Sequence, residues 1–235
     1  YTHRITVARR HIHAVECCLA AVRALGDDAA PVTWDWPGLD DAVPALRAQT
    51  GLAPGSFCVL VPGSRRAEKR WPAAAWAELA ARIWNTHRMP IVLAGSPDET
   101  PIADAIMADA VTHGAAPDAV RNYAGALTLV ELLALCRDSR IVVACDTGPL
   151  HMAVAAGARV VALMGPTHPD RHGPYGQRDH VVMAPVACAP CHGGRRRCGA
   201  QPECMSAISV DEVSNKVTAV LHGACGQTMQ HAQTC

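Results

Sequence analysis

Between residues 57 and 183 the chain alternates two textures. Short, almost uniformly apolar runs rich in β-branched residues fall at 57–61, 90–94, 141–144, 160–164 and, less uniformly, 180–183. Longer Ala-rich stretches at 73–85, 101–112, 128–136 and 149–156 separate them and carry a helical pattern. A strand with one wet face alternates apolar and polar residues, so runs that are apolar at every position predict strands covered on both faces. Strands that alternate with helices in this way predict an α/β fold, a doubly wound parallel sheet. Outside this block, residues 11–25 read as a helix closed by Gly26 and Asp27. The chain then passes through Pro31, Trp34, Trp36, Pro37, Gly38 and Pro44, a punctuated stretch that reads as a linker. The domain is therefore expected at 51–221, with one more helix at 210–221. Residues 222–235, rich in Gln, His and Cys, read as a loose tail.

Composition narrows the function. The 235 residues are 50% hydrophobic and 18% charged, which excludes a disordered or fibrous chain. Twenty-one Lys and Arg balance 21 Asp and Glu, so nothing draws the chain generally toward nucleic acid or an anionic membrane. Any polyanion must be gripped locally. No apolar run reaches the ~20 residues of a bilayer-spanning helix, and the first ten residues lack the apolar core of a signal peptide. A cytoplasmic location is expected. Two of the 21 cations are lysines, Lys69 and Lys216. The 11 cysteines are odd in number and come without an export signal, so reduced thiols are expected. Cys58, Cys136 and Cys145 fall in apolar runs as small core residues. Cys188, Cys191, Cys198 and Cys204 crowd together and leave two readings open, a four-thiolate zinc site and reduced thiols.

Open α/β sheets bind ligands beyond the carboxyl ends of their strands, which singles out four junctions. The first leaves residue 61 through Pro62, Gly63, Ser64, Arg65 and Arg66 and delivers Lys69 just before Pro72, at the first turn of the next helix. A cation there suits a phosphate, which points to Lys69, whereas Arg65 and Arg66 read first as a solvated loop. It is not a Walker loop, because G-x-x-x-x-G-K-[ST] is absent. The second places Gly95 at a strand exit and Asp98 and Glu99 at a helix start, where a carboxylate either caps the helix or accepts from ribose hydroxyls. In the third, Asp146-Thr147-Gly148-Pro149-Leu150-His151 turns from strand into helix. The free N–H groups of that helix, near residues 147–150, form an anion site, Asp146 caps the turn, and His151 either joins the pocket or lies in the core. Asp-Thr-Gly also marks aspartic proteases, but those carry it in all-β domains and pair two carboxylates, and this chain has one copy heading a helix. The fourth junction, Gly165-Pro166-Thr167, follows a strand as a rigid turn.

Taken in order, these segments resemble the C-terminal half of the ADP-heptose:lipopolysaccharide heptosyltransferases, glycosyltransferase family 9. The series runs from Pro62-Gly63-Ser64 and Lys69-Arg70-Trp71-Pro72 through Gly95 with Glu99 to Asn122-Tyr123-Ala124-Gly125-Ala126-Leu127-Thr128-Leu129. It continues with Asp146-Thr147-Gly148-Pro149-Leu150-His151, Gly165-Pro166-Thr167 and Gly173-Pro174-Tyr175-Gly176. The resemblance implies a Rossmann-like, donor-binding domain of a GT-B transferase. It implies diphosphate contacts at Ser64 and Lys69, a ribose carboxylate at Glu99, and a sugar-diphosphate turn at Asp146, Thr147 and Gly148 beside His151. Gly95, Gly165 and Thr167 belong to the same implied substrate site, and Lys69 and Asp146 are its implied catalytic pair. It further implies an ADP-sugar donor, ADP-heptose above all, and a lipopolysaccharide core acceptor. It implies, too, that catalysis needs no metal cofactor and, with a lipid-linked acceptor, proceeds at most peripherally at the inner face of the bacterial membrane. In that family the general base comes from the N-terminal domain, for which this length leaves no room. Residues 1–50 resemble the tail of that half, so the chain is expected to be a truncated form that binds donor and transfers poorly. A binding-only module and a relative with another sugar are the alternatives.

Overall fold

The computed structural model describes residue 5 and residues 12–26, 32–191 and 203–223. In chain order the elements are α1 (Ala14–Arg23), α2 (Leu39–Thr50), β1 (Cys58–Val61), α3 (Ala73–His87), β2 (Ile91–Leu93), α4 (Thr100–Thr112), β3 (Val120–Asn122) and α5 (Leu129–Asp138). They continue with β4 (Ile141–Cys145), α6 (Gly148–Ala155), β5 (Val160–Leu163), α7 (Pro169–His172), β6 (Val181–Val182), α8 (Glu203–Ser206) and α9 (Val210–His222). The six strands form one sheet in the order β3-β2-β1-β4-β5-β6, every pairing parallel. The doubly wound α/β class expected from the uniformly apolar runs is the one observed.

Two cores explain those runs. Residues 58 and 60 of β1 and 141, 143 and 145 of β4 point to the face covered by α3, α4 and α9. Residues 59 and 61 of β1 and 142 and 144 of β4 point to the face covered by α2, α5 and α6. With both faces dry, no position on the central strands tolerates a polar side chain, and β1 and β4 are buried throughout.

Three expectations need correction. The stretch read as a linker contains α2, which buries Leu39, Val43 and Leu46 in the second core and clasps α5 through Arg47, whose guanidinium donates to both Asp138 oxygens at 2.5 and 2.8 Å. The apolar spacing overrides Pro44, which sits inside the helix. Strand β3 went unread because only Val120 of its three residues is buried. At 180–183 the strand is two residues long and follows a 3-10 turn, Arg178–His180. Of the expected tail, residues 224–235 lie outside the described residues.

Candidate functional site

Between β1 and β4 the strand order changes direction: β1 connects outward through α3 to β2, and β4 outward through α6 to β5. The loops leaving two such strands diverge to opposite faces and open a crevice at their carboxyl ends. A cleft of about 830 Å³ lies there, its walls drawn from the exits of β1, β2 and β4 and from the start of α5. The first three predicted junctions thus converge.

At the floor, Lys69 Nζ lies 2.7 Å from Asp146 Oδ2, and from behind it the Thr167 hydroxyl, which does not itself line the cleft, donates to the same oxygen at 2.5 Å. The Lys69 and Asp146 side chains are 16% and 7% exposed. His151 Nε2 stands 3.6 Å from Asp146 Oδ1, beyond hydrogen-bond length but within electrostatic reach. Burial alone would raise the Asp146 carboxyl. The His151 imidazole, the Lys69 ammonium and the Thr167 hydroxyl outweigh it and hold the group well below the ordinary carboxylate range.

Neighbouring structure fixes these groups. Lys69 ends a 3-10 turn, Ala67–Lys69, rather than opening the next helix, because α3 starts only after Pro72. Arg70 Nε donates to the Ser64 carbonyl at 2.7 Å and folds the loop back on itself. Trp71, buried edge-on against Trp76, pins the loop's far end by donating to the Ile208 carbonyl at 2.9 Å. Ser64 is buried at the cleft wall, its hydroxyl accepting from the Arg66 amide at 3.3 Å.

Glu99 performs the capping role: its carboxylate accepts from the Ser96 amide at 2.8 Å. It also lines the cleft, lodged where Gly63 and Gly95 have no side chains; a Cβ on Gly63 would fall 1.9 Å from the Glu99 carboxyl carbon. The turn at Gly125, with φ of 76°, packs against Pro97 and bonds the Gly95 carbonyl at 2.9 Å, setting the start of α5 beside the cleft.

At α6, the N-cap residue is Thr147 and no side chain caps the helix. The expected cap at Asp146 is not formed, because Lys69 and Thr167 engage that carboxylate. Pro149 has no N–H, so the backbone donors of the first turn are those of Gly148 and Leu150, preceded by Thr147.

Gly165 does not line the cleft. A Cβ there would meet Met205 Sδ at 2.6 Å and Cys204 Sγ at 2.8 Å, so its smallness admits α8. That contact also bears on the four-thiolate zinc reading of the cysteine cluster. Cys204 is 3% exposed whereas Cys188 and Cys191 are exposed, and no three potential ligands gather among the described residues. Cys198 lies outside those residues. Sequence reasoning undervalued Arg65 and Arg66, which line the cleft, and passed over the wall formed by Pro97, Leu127, Leu129 and Leu132. Leu129 is 70% exposed, an apolar residue held at the surface directly after an N-cap.

No helix among the described residues is long and apolar enough to cross a membrane. The profile of glycosyltransferase family 9 (heptosyltransferase) matches residues 1–200. Lipopolysaccharide heptosyltransferase 1 of Pseudomonas aeruginosa is 31% identical over 154 residues, which cover 63% of this chain and 39% of that protein. Among solved structures, E. coli ADP-heptose LPS heptosyltransferase II superposes with a TM-score of 0.66 at 24% identity, over 84% of this chain and 57% of that one. E. coli heptosyltransferase WaaC with ADP gives a TM-score of 0.66 at 21% identity, over 93% and 59%. The chain thus spans about two fifths of the curated relative and under two thirds of either solved chain.

Proposed function

The chain belongs to glycosyltransferase family 9, and from that premise we propose that its cleft holds an ADP-sugar, ADP-heptose above all, for transfer to a lipopolysaccharide core acceptor. The observation that carries this reading is the meeting of Lys69 with the uncapped N-terminus of α6 at the point where the strand order reverses. Ser64, Lys69 and the amides of Thr147 and Gly148 suit a diphosphate. The Glu99 carboxylate suits the ribose hydroxyls, and the Leu127, Leu129 and Leu132 wall suits the flat face of a nucleobase. Heptosyltransferase WaaC, solved with ADP, has this fold.

Charge grows on the diphosphate as the glycosidic bond to it breaks. Lys69 and the α6 amides are the positive groups that meet it, the work a divalent cation does in other transferases. Asp146 acts as a positioning residue, since Lys69 and Thr167 occupy it. Glu99 is held by the Ser96 amide. Both cleft carboxylates thus have roles in holding the site, Asp146 through Lys69 and Thr167 and Glu99 through the Ser96 amide.

Displacement titrations with ADP, UDP and GDP test the donor class, with ADP expected to bind tightest. Equal affinity for all three contradicts an adenosine donor. Release of ADP from ADP-heptose, measured with and without lipopolysaccharide core acceptor, tests the transfer, and release indifferent to the acceptor contradicts it.

A further inference from the structure

Three strand exits meet at one oxygen atom. Lys69 arrives after β1, Asp146 after β4 and Thr167 after β5, and the ammonium and the hydroxyl both donate to Asp146 Oδ2, at 2.7 and 2.5 Å. A carboxylate oxygen carries two lone pairs, so these two donors fill it. The other oxygen, Oδ1, stands 3.6 Å from His151.

Thr167 differs from the groups around it. It is 8% exposed and does not line the cleft, so it offers no surface to a ligand there, and its single hydroxyl proton is given to the carboxylate. Its place is imposed from both sides along the chain. Two residues earlier, Gly165 lies tight against Cys204 and Met205 of α8. One residue later, His168 caps α7, its Nδ1 accepting from the Asp170 amide at 3.3 Å. A hydroxyl fixed in this way sets the rotation of the carboxylate it binds.

The consequence falls on Lys69. Of the three ammonium protons, one goes to Asp146 and two are left for a ligand in the cleft that the residue lines. Without the hydroxyl, the Asp146 carboxylate is free to turn and to present either oxygen to the ammonium. The negative charge that the hydroxyl shares would also fall more heavily on Lys69, drawing the ammonium closer and leaving less of it for a phosphate.

We propose that Thr167 is a positioning residue for the diphosphate contact: by fixing Asp146 and sharing its charge, it holds Lys69 with two protons available to the ligand. The proposal rests on the donor reading above. It moves Thr167 from the substrate contact that the family resemblance implies to a group behind the site that acts only through its neighbours.

The test is a double-mutant cycle read by calorimetric titration of ADP. Thr167→Val keeps the branched shape and removes the hydroxyl, and it is expected to weaken ADP about three- to tenfold. Thr167→Ser, which keeps the hydroxyl, is expected to restore most of that loss. Placed on Lys69→Met, Thr167→Val is expected to cost less than about twofold further, because the group it positions is already gone. Should Thr167→Val fail to fold, Thr167→Cys, with a weaker donor, carries the same cycle: a loss beside Lys69 that vanishes beside Met. Unchanged affinity in the Val variant, an equal loss with and without Lys69, or a Ser variant no better than Val overturns the positioning role while leaving ADP binding in place. Failure of the wild type to bind ADP at all removes the donor reading, and this role with it.

Discussion

Lys69 and Asp146 are 77 residues apart in sequence and joined at 2.7 Å, and each depends on backbone that other residues hold. The small Gly63 matters on the same scale. Substituting Gly63→Ala pushes a methyl group into the space of the Glu99 carboxylate, so nucleotide affinity is expected to fall about tenfold or more through loss of one charged hydrogen bond. Titration of ADP into that variant checks it. Asp146 makes a pH-dependent claim. Its carboxyl is lowered in the folded state, so its contribution to stability is complete above the ordinary value of 3.8 and is lost as pH falls below it. Asp146→Asn is expected to destabilise the protein by about 3 kcal/mol at neutral pH, by leaving the Lys69 ammonium nearly buried without its partner. In urea melts the gap to wild type should close as pH drops below 3.8. A gap that persists unchanged at pH 2 contradicts the assignment. At this scale the sequence was informative where chemistry follows strand ends: Ser64, Lys69, Glu99, Asp146, Thr147, Gly148 and His151 all reach the cleft. It misled at Gly165, because a glycine at a strand exit reads alike whether it makes room for a ligand or for Met205.

Among the elements, α2 carries the clearest lesson. Its Pro-Gly entry and internal Pro44 advertise a linker, yet Leu39, Val43 and Leu46 supply a helical apolar stripe that only the α5 partner face makes meaningful. Substitution of Leu46, 4% exposed, by Ala is expected to cost 2–5 kcal/mol in denaturant unfolding, a core penalty. A change within ~0.5 kcal/mol would return α2 to the status of a linker. Strand β3 was illegible for the opposite reason. Three residues at the sheet edge, of which only Val120 is buried, carry too little pattern, and the strand is specified by its pairing with β2. The helices flanking the central strands were readable because their apolar spacing, caps and Ala content agree.

Across the whole molecule, burial lowers the pKa of His87, His172 and His180 on three separate elements. The unfolded chain therefore binds protons more readily than the folded one near pH 6.5. Stability from these groups is full above that value and declines as pH falls through it. Thermal melts are expected to show a lower Tm at pH 5.5 than at pH 7.5, and a rise on acidification contradicts the burial of these rings. The sheet also sets loops from β1, β2 and β4 around one cleft, so the fold itself builds the candidate site. The direct measurement is a calorimetric titration of ADP into the wild type and into Lys69→Met. Saturable binding by the wild type, weakened about tenfold or more by loss of the ammonium, is the predicted result. No binding at millimolar ADP, or binding indifferent to Lys69, would contradict it.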